Sequence, residues 1–125
     1  MTYDLSNLEI YKLAIELSNI AWKIYYDLPT TIKYHTGGQF LDSTDSVGAN
    51  IAEGYRRFHY LDRIKFLYNA RGSLLESNHW LGLLSERNLI KNKALKNQYI
   101  NIYNQLIPKL NNFINSTYKQ KEKNS

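Results

Sequence analysis

The chain has 125 residues, 22% of them charged, and a formal net charge of +5. That length suits one domain with a real core, since a chain of this size buries roughly two-thirds of its unfolded surface. It holds no cysteine, which excludes disulfides, thiolate metal sites and cysteine nucleophiles, and no apolar run of about 18 residues that would span a membrane.

Apolar residues recur at intervals of three and four, and two prolines and six glycines are too few to punctuate a many-stranded sheet. The N-terminal segment lacks a basic start, and Glu9 and Glu16 interrupt its apolar residues, so it does not read as a signal peptide and a cytoplasmic location is expected. The first predicted helix spans 7–28. Its stripe is Ile10, Leu13, Leu17, Ile20, Ile24 and Leu28, widened by Leu8, Tyr11, Ile15, Trp22 and Tyr25. Ser6 or Asn7 is placed to cap its start, and Pro29 ends it by pushing the residue before it out of the helical region. This is more apolar surface than one bundle-facing stripe needs, so a remainder that includes Trp22 or Tyr25 is expected to meet a neighbouring molecule.

The second predicted helix spans 31–56, starting near Thr30 or Thr31 or later, after Gly37-Gly38. Its inner face is Phe40, Thr44, Val47 and Ile51. Gly48 and Gly54 each weaken it by about 1 kcal/mol relative to Ala; they let another backbone approach, or Gly54 simply marks the helix end. The third, 60–87, has a strict three-four alternation of Leu67, Ala70, Leu74, Ser77, Leu81 and Leu84, joined by Leu61 and Ile64. Arg87 favours its C-terminal dipole, and Asn88-Leu89 makes the following turn. The fourth, 91–118, runs through Leu95, Tyr99, Ile102, Leu106, Leu110 and Phe113, with Pro108 expected to bend it. Four such helices, each about 37 Å long, joined by short connections, predict an all-α, antiparallel up-down-up-down four-helix bundle over 1–118. A basic, frayed tail is expected over 119–125.

Charge is unevenly placed. Residues 1–55 hold three basic and seven acidic side chains, net −4, whereas residues 56–125 hold thirteen basic and four acidic, net +9. A positive region of this kind attracts polyanions and also suits acidic protein surfaces. Its centre is the predicted turn between the second and third helices. There Arg56, Arg57, His59, Arg63, Lys65 and Arg71 lie among Tyr55, Phe58 and Tyr60. Arginine forks match phosphates and aromatic faces stack bases, which makes these six the candidate nucleic-acid-binding residues. The competing reading is a solvated helix start with aromatics in the core or at a subunit contact.

Other groupings offer less. Asn50, Glu53, Ser73 and Glu76 fall on or near the inner faces of the second and third helices. Buried polar groups are costly unless paired, so they are expected to form a structural polar network with each other, Arg57 or Arg71. Glu76-Ser77-Asn78-His79 has the Glu-x-x-His spacing of di-iron bundles, but such a site needs a second copy and two more glutamates. The sequence has no acidic residue between Glu86 and Glu122. No catalytic residue, metal ligand or cofactor is expected. Eleven tyrosines, among them Tyr11, Tyr25, Tyr68, Tyr99 and Tyr103, sit near apolar faces, where an apolar ring with a wettable hydroxyl suits half-buried subunit contacts.

Two stretches, QFLDSTDSVGANIAEGYRR and FLYNARGSLLESNHWL, carry a family likeness. With Gln39, Ser46-Val47, Asn50-Ile51-Ala52-Glu53-Gly54, Arg57 and Ala70-Arg71-Gly72-Ser73-Leu74-Leu75-Glu76, and with the opening LEIYKLAIEL, the chain resembles the four-helix bundle family encoded in intervening sequences of bacterial large-subunit ribosomal RNA genes. It departs from the family at Leu41-Asp42, where arginine is usual. The resemblance implies a homo-oligomer, usually a pentamer, with no established reaction. It also implies a fold-level relation to accessory proteins of diversity-generating retroelements, which bind nucleic acid and a reverse transcriptase; fold likeness alone transfers no function. The leading expectation is a non-enzymatic oligomeric scaffold with a basic surface that binds RNA or DNA. The alternative is a protein-interaction scaffold, with an unidentified protein partner and no nucleic-acid role. No membrane partner is expected.

Overall fold

Helical periodicity becomes helix along almost the whole chain. The structure, a computed structural model, describes residues 4–124, with side chains described over 4–120. A 3₁₀ turn over Leu5–Asn7 leads into α1 (Glu9–Tyr26); α2 (Thr30–Lys33), α3 (Thr36–Arg56), α4 (Tyr60–Glu86) and α5 (Lys93–Asn124) follow. No strand occurs among the described residues.

Four of these are the bundle helices. α1 packs on α3 and α5, and α4 packs on α3 and α5, closing a ring of four. The contacts run in opposite sequence order on every side. Leu28 lies against Gly37, and Ala14 and Ile15 against Gly48. Ser77 meets Thr44, whereas Phe66 covers Gly54. Lys96 reaches Ser85, and Arg71 reaches Asn111. Lys109 pairs with Glu9, while Trp22 and Leu95 line one cleft. Each neighbour is therefore antiparallel, and the topology is up-down-up-down.

The core is the set of stripes read from the sequence, with Leu17, Val47, Phe40, Ile51, Leu74, Leu84, Leu106 and Leu110 fully buried. At its centre lies a chain of hydroxyls. Thr44 Oγ1 donates to the Phe40 carbonyl at 2.7 Å, so at Ser77 Oγ, 2.5 Å away, it must accept. Ser77 then accepts from Tyr99 Oη at 2.6 Å. No described buried side-chain polar atom lacks a partner. Tyr99 is wholly enclosed, with its ring against Phe40 at 5.6 Å, so it is a core residue and not the half-buried contact expected of it.

Several boundaries differ from the sequence reading. Neither Ser6 nor Asn7 caps α1: both lie in the 3₁₀ turn, which Asp4 caps by accepting from the Ser6 N–H at 3.0 Å, and α1 itself starts after Leu8 with no side-chain cap. The second predicted helix breaks at Tyr34-His35 into α2 and α3. There the α2 carbonyls of Ile32 and Lys33 lie 3.0 and 2.9 Å from where a Cβ on Gly37 or Gly38 would sit, room that only glycine leaves. α4 ends in a Schellman motif: Leu89 N–H bonds the Leu84 carbonyl, Asn88 N–H bonds Ser85, and Asn88 takes φ 57°. α5 passes through Pro108 and continues to Asn124, so 119–124, set apart in sequence as a frayed tail, prolongs the helix; Ser125 lies outside the described residues. The proline leaves the Asn104 carbonyl without its N–H partner, and Asn104 is exposed to water.

The two interior glycines of α3 separate cleanly. A Cβ on Gly54 would lie 3.1 Å from Phe66 Cβ and 3.2 Å from the Arg63 carbonyl, whereas on Gly48 its nearest neighbour is a side-chain methyl of Ile15 at 3.4 Å. Gly54→Ala is expected to lower stability by about 1–3 kcal/mol, the cost of overpacking. Gly48→Ala is expected to hold or raise it by up to about 1 kcal/mol; urea midpoints measure both. Burial also pushes the Tyr99 phenol well above its ordinary value of 10.0. Between the unfolded and folded values the native chain keeps a proton that the unfolded chain has lost, so stability falls as pH rises past about 10 and is intact below it. Melting temperatures between about pH 9 and 11 should drop more steeply for the natural chain than for Tyr99→Phe. A residual slope is expected from Tyr103 and Tyr118, whose phenols are also raised.

Candidate nucleic-acid interface

Three residues, Arg57 to His59, join α3 to α4, and the local chemistry holds them firmly. The last carbonyls of a helix lack N–H partners and favour a cation. Arg63, half-buried on α4, supplies one: Nε donates to the Arg57 carbonyl at 2.5 Å and Nη2 to the Tyr55 carbonyl at 3.4 Å. The Arg57 guanidinium lies over the Phe66 ring at 4.9 Å and donates to Glu53 Oε2 at 3.0 Å. Gly54 lets α4 close on α3 just below this turn.

The six candidate binding residues therefore divide. Arg63 fastens the turn. Arg57 is partly committed to Phe66 and Glu53. Arg56, with a side chain 70% exposed, pairs with Glu53 in open solvent. The hydrogen bond from Arg56, with the charge of both arginines, holds the Glu53 carboxyl below its ordinary range. Lys65 is exposed, and His59 stands exposed at the N-cap of α4 with its ring edge-on to Phe58. Arg71 belongs elsewhere: it lies eight residues beyond Arg63 on α4, about 12 Å away. There it donates to Asn111 Oδ1 at 3.1 Å and stacks on Tyr68 at 4.8 Å. The turn thus presents Arg56, Arg57, His59 and Lys65, with Glu53 and Asp62 as its nearby acids. Lys119, expected in a frayed basic tail, is carried on α5 instead. The Tyr68–Tyr118 hydroxyl contact at 2.7 Å runs the last turns of α5, with exposed Lys119, beside the start of α4.

Of the polar network expected of Asn50, Glu53, Ser73 and Glu76 with each other, Arg57 or Arg71, the contact of Arg57 with Glu53 forms, at 3.0 Å; the four make no hydrogen bond to one another among the described residues. Asn50 donates back to the Ser46 carbonyl of its own helix. Glu53 is occupied by arginines, Ser73 is half-buried, and exposed Glu76 accepts from Trp80 Nε1 at 3.3 Å. The register explains this. Gly54 lies against Phe66 and Leu67, so Glu53 is level with Leu67, while Glu76 is nine residues farther along α4, about 13 Å away. The buried network is Thr44, Ser77 and Tyr99 instead. His79 is exposed against Trp80 at 4.8 Å, and no group of three His, Asp or Glu side chains that could hold a metal comes together among the described residues. The α1–α5 groove, about 440 Å³, is lined by Lys12, Glu16, Lys23 and Gln98 over Ile20 and Ile102, and neither Glu53 nor Glu76 borders it.

The 23S rRNA-intervening sequence protein family matches residues 6–112, which take in the turn and both motif stretches. The chain belongs to this family. Its fold is also that of a crystal structure of a protein of unknown function from the S23 ribosomal protein family of Bacteroides thetaiotaomicron. The two are 24% identical, with 85% of this chain and 95% of that one covered, at a TM-score of 0.75. No curated protein matches the chain. The family match covers the turn residues Arg56, Arg57, His59 and Lys65, whereas Lys119 lies past its end at residue 112.

Because Arg63 and Lys65 sit two residues apart in opposite roles, they make a clean comparison. Arg63→Ala should destabilise the protein by about 1–3 kcal/mol, since it unfastens the exposed Arg57 carbonyl and leaves the half-buried Tyr55 carbonyl unbonded. Lys65→Ala should stay within about 0.5 kcal/mol. Hydrogen exchange at the α3–α4 turn should quicken only in the first.

Proposed function

We propose that this intervening-sequence protein is a non-enzymatic, self-associating helical scaffold that binds RNA or DNA through the α3–α4 turn. The observation that carries the reading is the set of exposed basic side chains on a fastened backbone at one end of the bundle: Arg56, Arg57 and Lys65, with His59 among them. Their side chains reach phosphates without unfolding anything, and the turn is already ordered, so little entropy is lost on binding.

Self-association has its own support. α4 is apolar on two faces. Away from the core it carries Tyr68, Gly72, Leu75, His79 and Gly82 at three-four spacing, with Leu75 52% exposed. A Cβ on Gly72 or Gly82 would meet nothing within 4 Å, so the chain's own packing gives no reason for either glycine. On α1 the surplus is Trp22 and Tyr26, 53% and 65% exposed; Tyr25 packs on the core. Five copies is the number that the family resemblance implies.

Binding to homopolymer RNA and duplex DNA, titrated from about 50 to 200 mM salt, tests the first half. Affinity should fall steeply, with a log-log slope of about −0.7 per phosphate contact for single strands. Arg56→Ala with Lys65→Ala, which spares the turn's fasteners, should weaken binding to every sequence alike. If the natural chain binds neither polymer even at about 50 mM salt, a protein-interaction scaffold replaces the reading. Light scattering on the same samples should give a multiple of 14.7 kDa; a monomer at micromolar concentration would refute self-association.

A further inference from the structure

We infer that the occupant of the turn is a single-stranded nucleic acid, and that one of its unpaired bases stacks on Phe58; this rests on the proposed nucleic-acid reading. Phe58 is 93% exposed, above every other large apolar side chain among the described residues. Scattered exposed apolar residues need no explanation, but the setting of this one is unusual. The residues on either side are held. Arg57 is pinned by Phe66, Glu53 and, through its carbonyl, Arg63. The His59 carbonyl accepts the Arg63 N–H at 3.0 Å. The Phe58 ring projects, in a T-shaped contact with His59 at 5.8 Å between centroids. A T-shaped contact leaves ring face open.

An open aromatic face on a turn that carries exposed arginine and lysine side chains selects for a particular polymer. Arg56, Arg57 and Lys65 attract phosphates of any nucleic acid. In a duplex the base faces are already stacked on each other, so Phe58 gains nothing there without unstacking a step. A single strand offers free base faces, and stacking on an aromatic side chain holds them whatever their identity. Leu61, 63% exposed on the first turn of α4, adds apolar surface at the same end of the bundle. Tyr55 and Tyr60 are both half-buried, which leaves Phe58 as the stacking platform.

The test compares a fluorescent 12-nucleotide oligouridylate, an abasic oligomer with the same phosphates and a blunt 12-base-pair duplex, using anisotropy at about 50 mM salt. Phe58→Ala should weaken oligouridylate binding roughly tenfold, the loss of one base–aromatic stack. Its affinities for the abasic oligomer and the duplex, and its salt slope, should match the natural chain's. Phe58→Trp should retain oligouridylate binding. Circular dichroism and light scattering establish that each variant keeps its helicity and mass. If Phe58→Ala binds oligouridylate as well as the natural chain, while Arg56→Ala with Lys65→Ala loses it, stacking is overturned and the phosphate reading stands. If Phe58→Ala weakens the duplex equally, the ring acts as a wedge and the single-strand assignment falls. If the natural chain binds none of the three but does bind phosphatidylglycerol vesicles, both readings fall and the turn is a lipid-contact element.

Discussion

The hydroxyl chain from Tyr99 through Ser77 and Thr44 to the Phe40 carbonyl is the constraint on which the bundle depends. Stripes of leucine and isoleucine tolerate sliding, because one apolar contact replaces another when a helix shifts by a turn of 5.4 Å. Hydroxyls do not. A slipped α4 would strand two or three buried polar groups, at about 1–3 kcal/mol each. A domain of this size has only about 5–15 kcal/mol of stability to lose. Three helices supply one member each, so α3, α4 and α5 are fixed against one another by a single line of atoms. That register puts Phe66 over Gly54, brings Arg63 to the end of α3, and sets Arg71 opposite Asn111.

The same register determines which cations remain for a ligand. A guanidinium that closes a helix end meets carbonyls that otherwise lack partners, and its charge opposes the helix dipole. An exposed Arg–Glu pair such as Arg56–Glu53 contributes little, about 0–1 kcal/mol. Arg63 is therefore a residue of the fold and Arg56 a residue of the surface, although they lie in one short basic run. Net charge does not make this distinction. The contrast between the chain's two halves correctly locates a positive region, but it overstates the number of charges free to meet phosphate.

What the sequence made legible follows from what periodicity measures. Three-four spacing reports which face of a helix is apolar, so Leu67, Leu74, Leu81 and the other stripe residues are in the core where expected. It does not report register between helices, so it could not separate Glu53 from Glu76 along the bundle axis or bring Asn111 to Arg71. Thr44, Ser77 and Tyr99 were visible only as stripe positions; that their hydroxyls touch is a fact of the assembled structure. The motif residues Asn50, Glu53, Ser73 and Glu76 lie beside the inner stripe rather than on it, and one residue of helix is 100° of rotation, enough to carry Glu76 into solvent. The break before α3 was signalled by Gly37-Gly38. Its cause, the α2 carbonyls folding back on those glycines, was not. Phe58's exposure was hidden for the opposite reason: a lone aromatic in a loop has no period.

The glycines of α4 bear on how the scaffold would work. In an isolated chain Gly72 and Gly82 each cost about 1 kcal/mol relative to alanine, and no neighbouring atom in the chain forbids a methyl at either site. Gly54, by contrast, is required by Phe66. A helix that gives up stability at two outward positions, with an exposed leucine between them, suits the close approach of another backbone there. Under the self-association proposed above, such a contact would run along the same helix whose first two turns carry Leu61 and Lys65. Copies joined through that face would hold their α3–α4 turns at fixed separations. A strand engaged by one turn would then meet the next at a high effective concentration, so that contacts too weak singly would bind together by 10²–10⁴ more tightly. Under that proposal the α4 outer face and the turn would be parts of one arrangement, because a turn held rigid by Arg63 would gain further from a rigid spacing between turns.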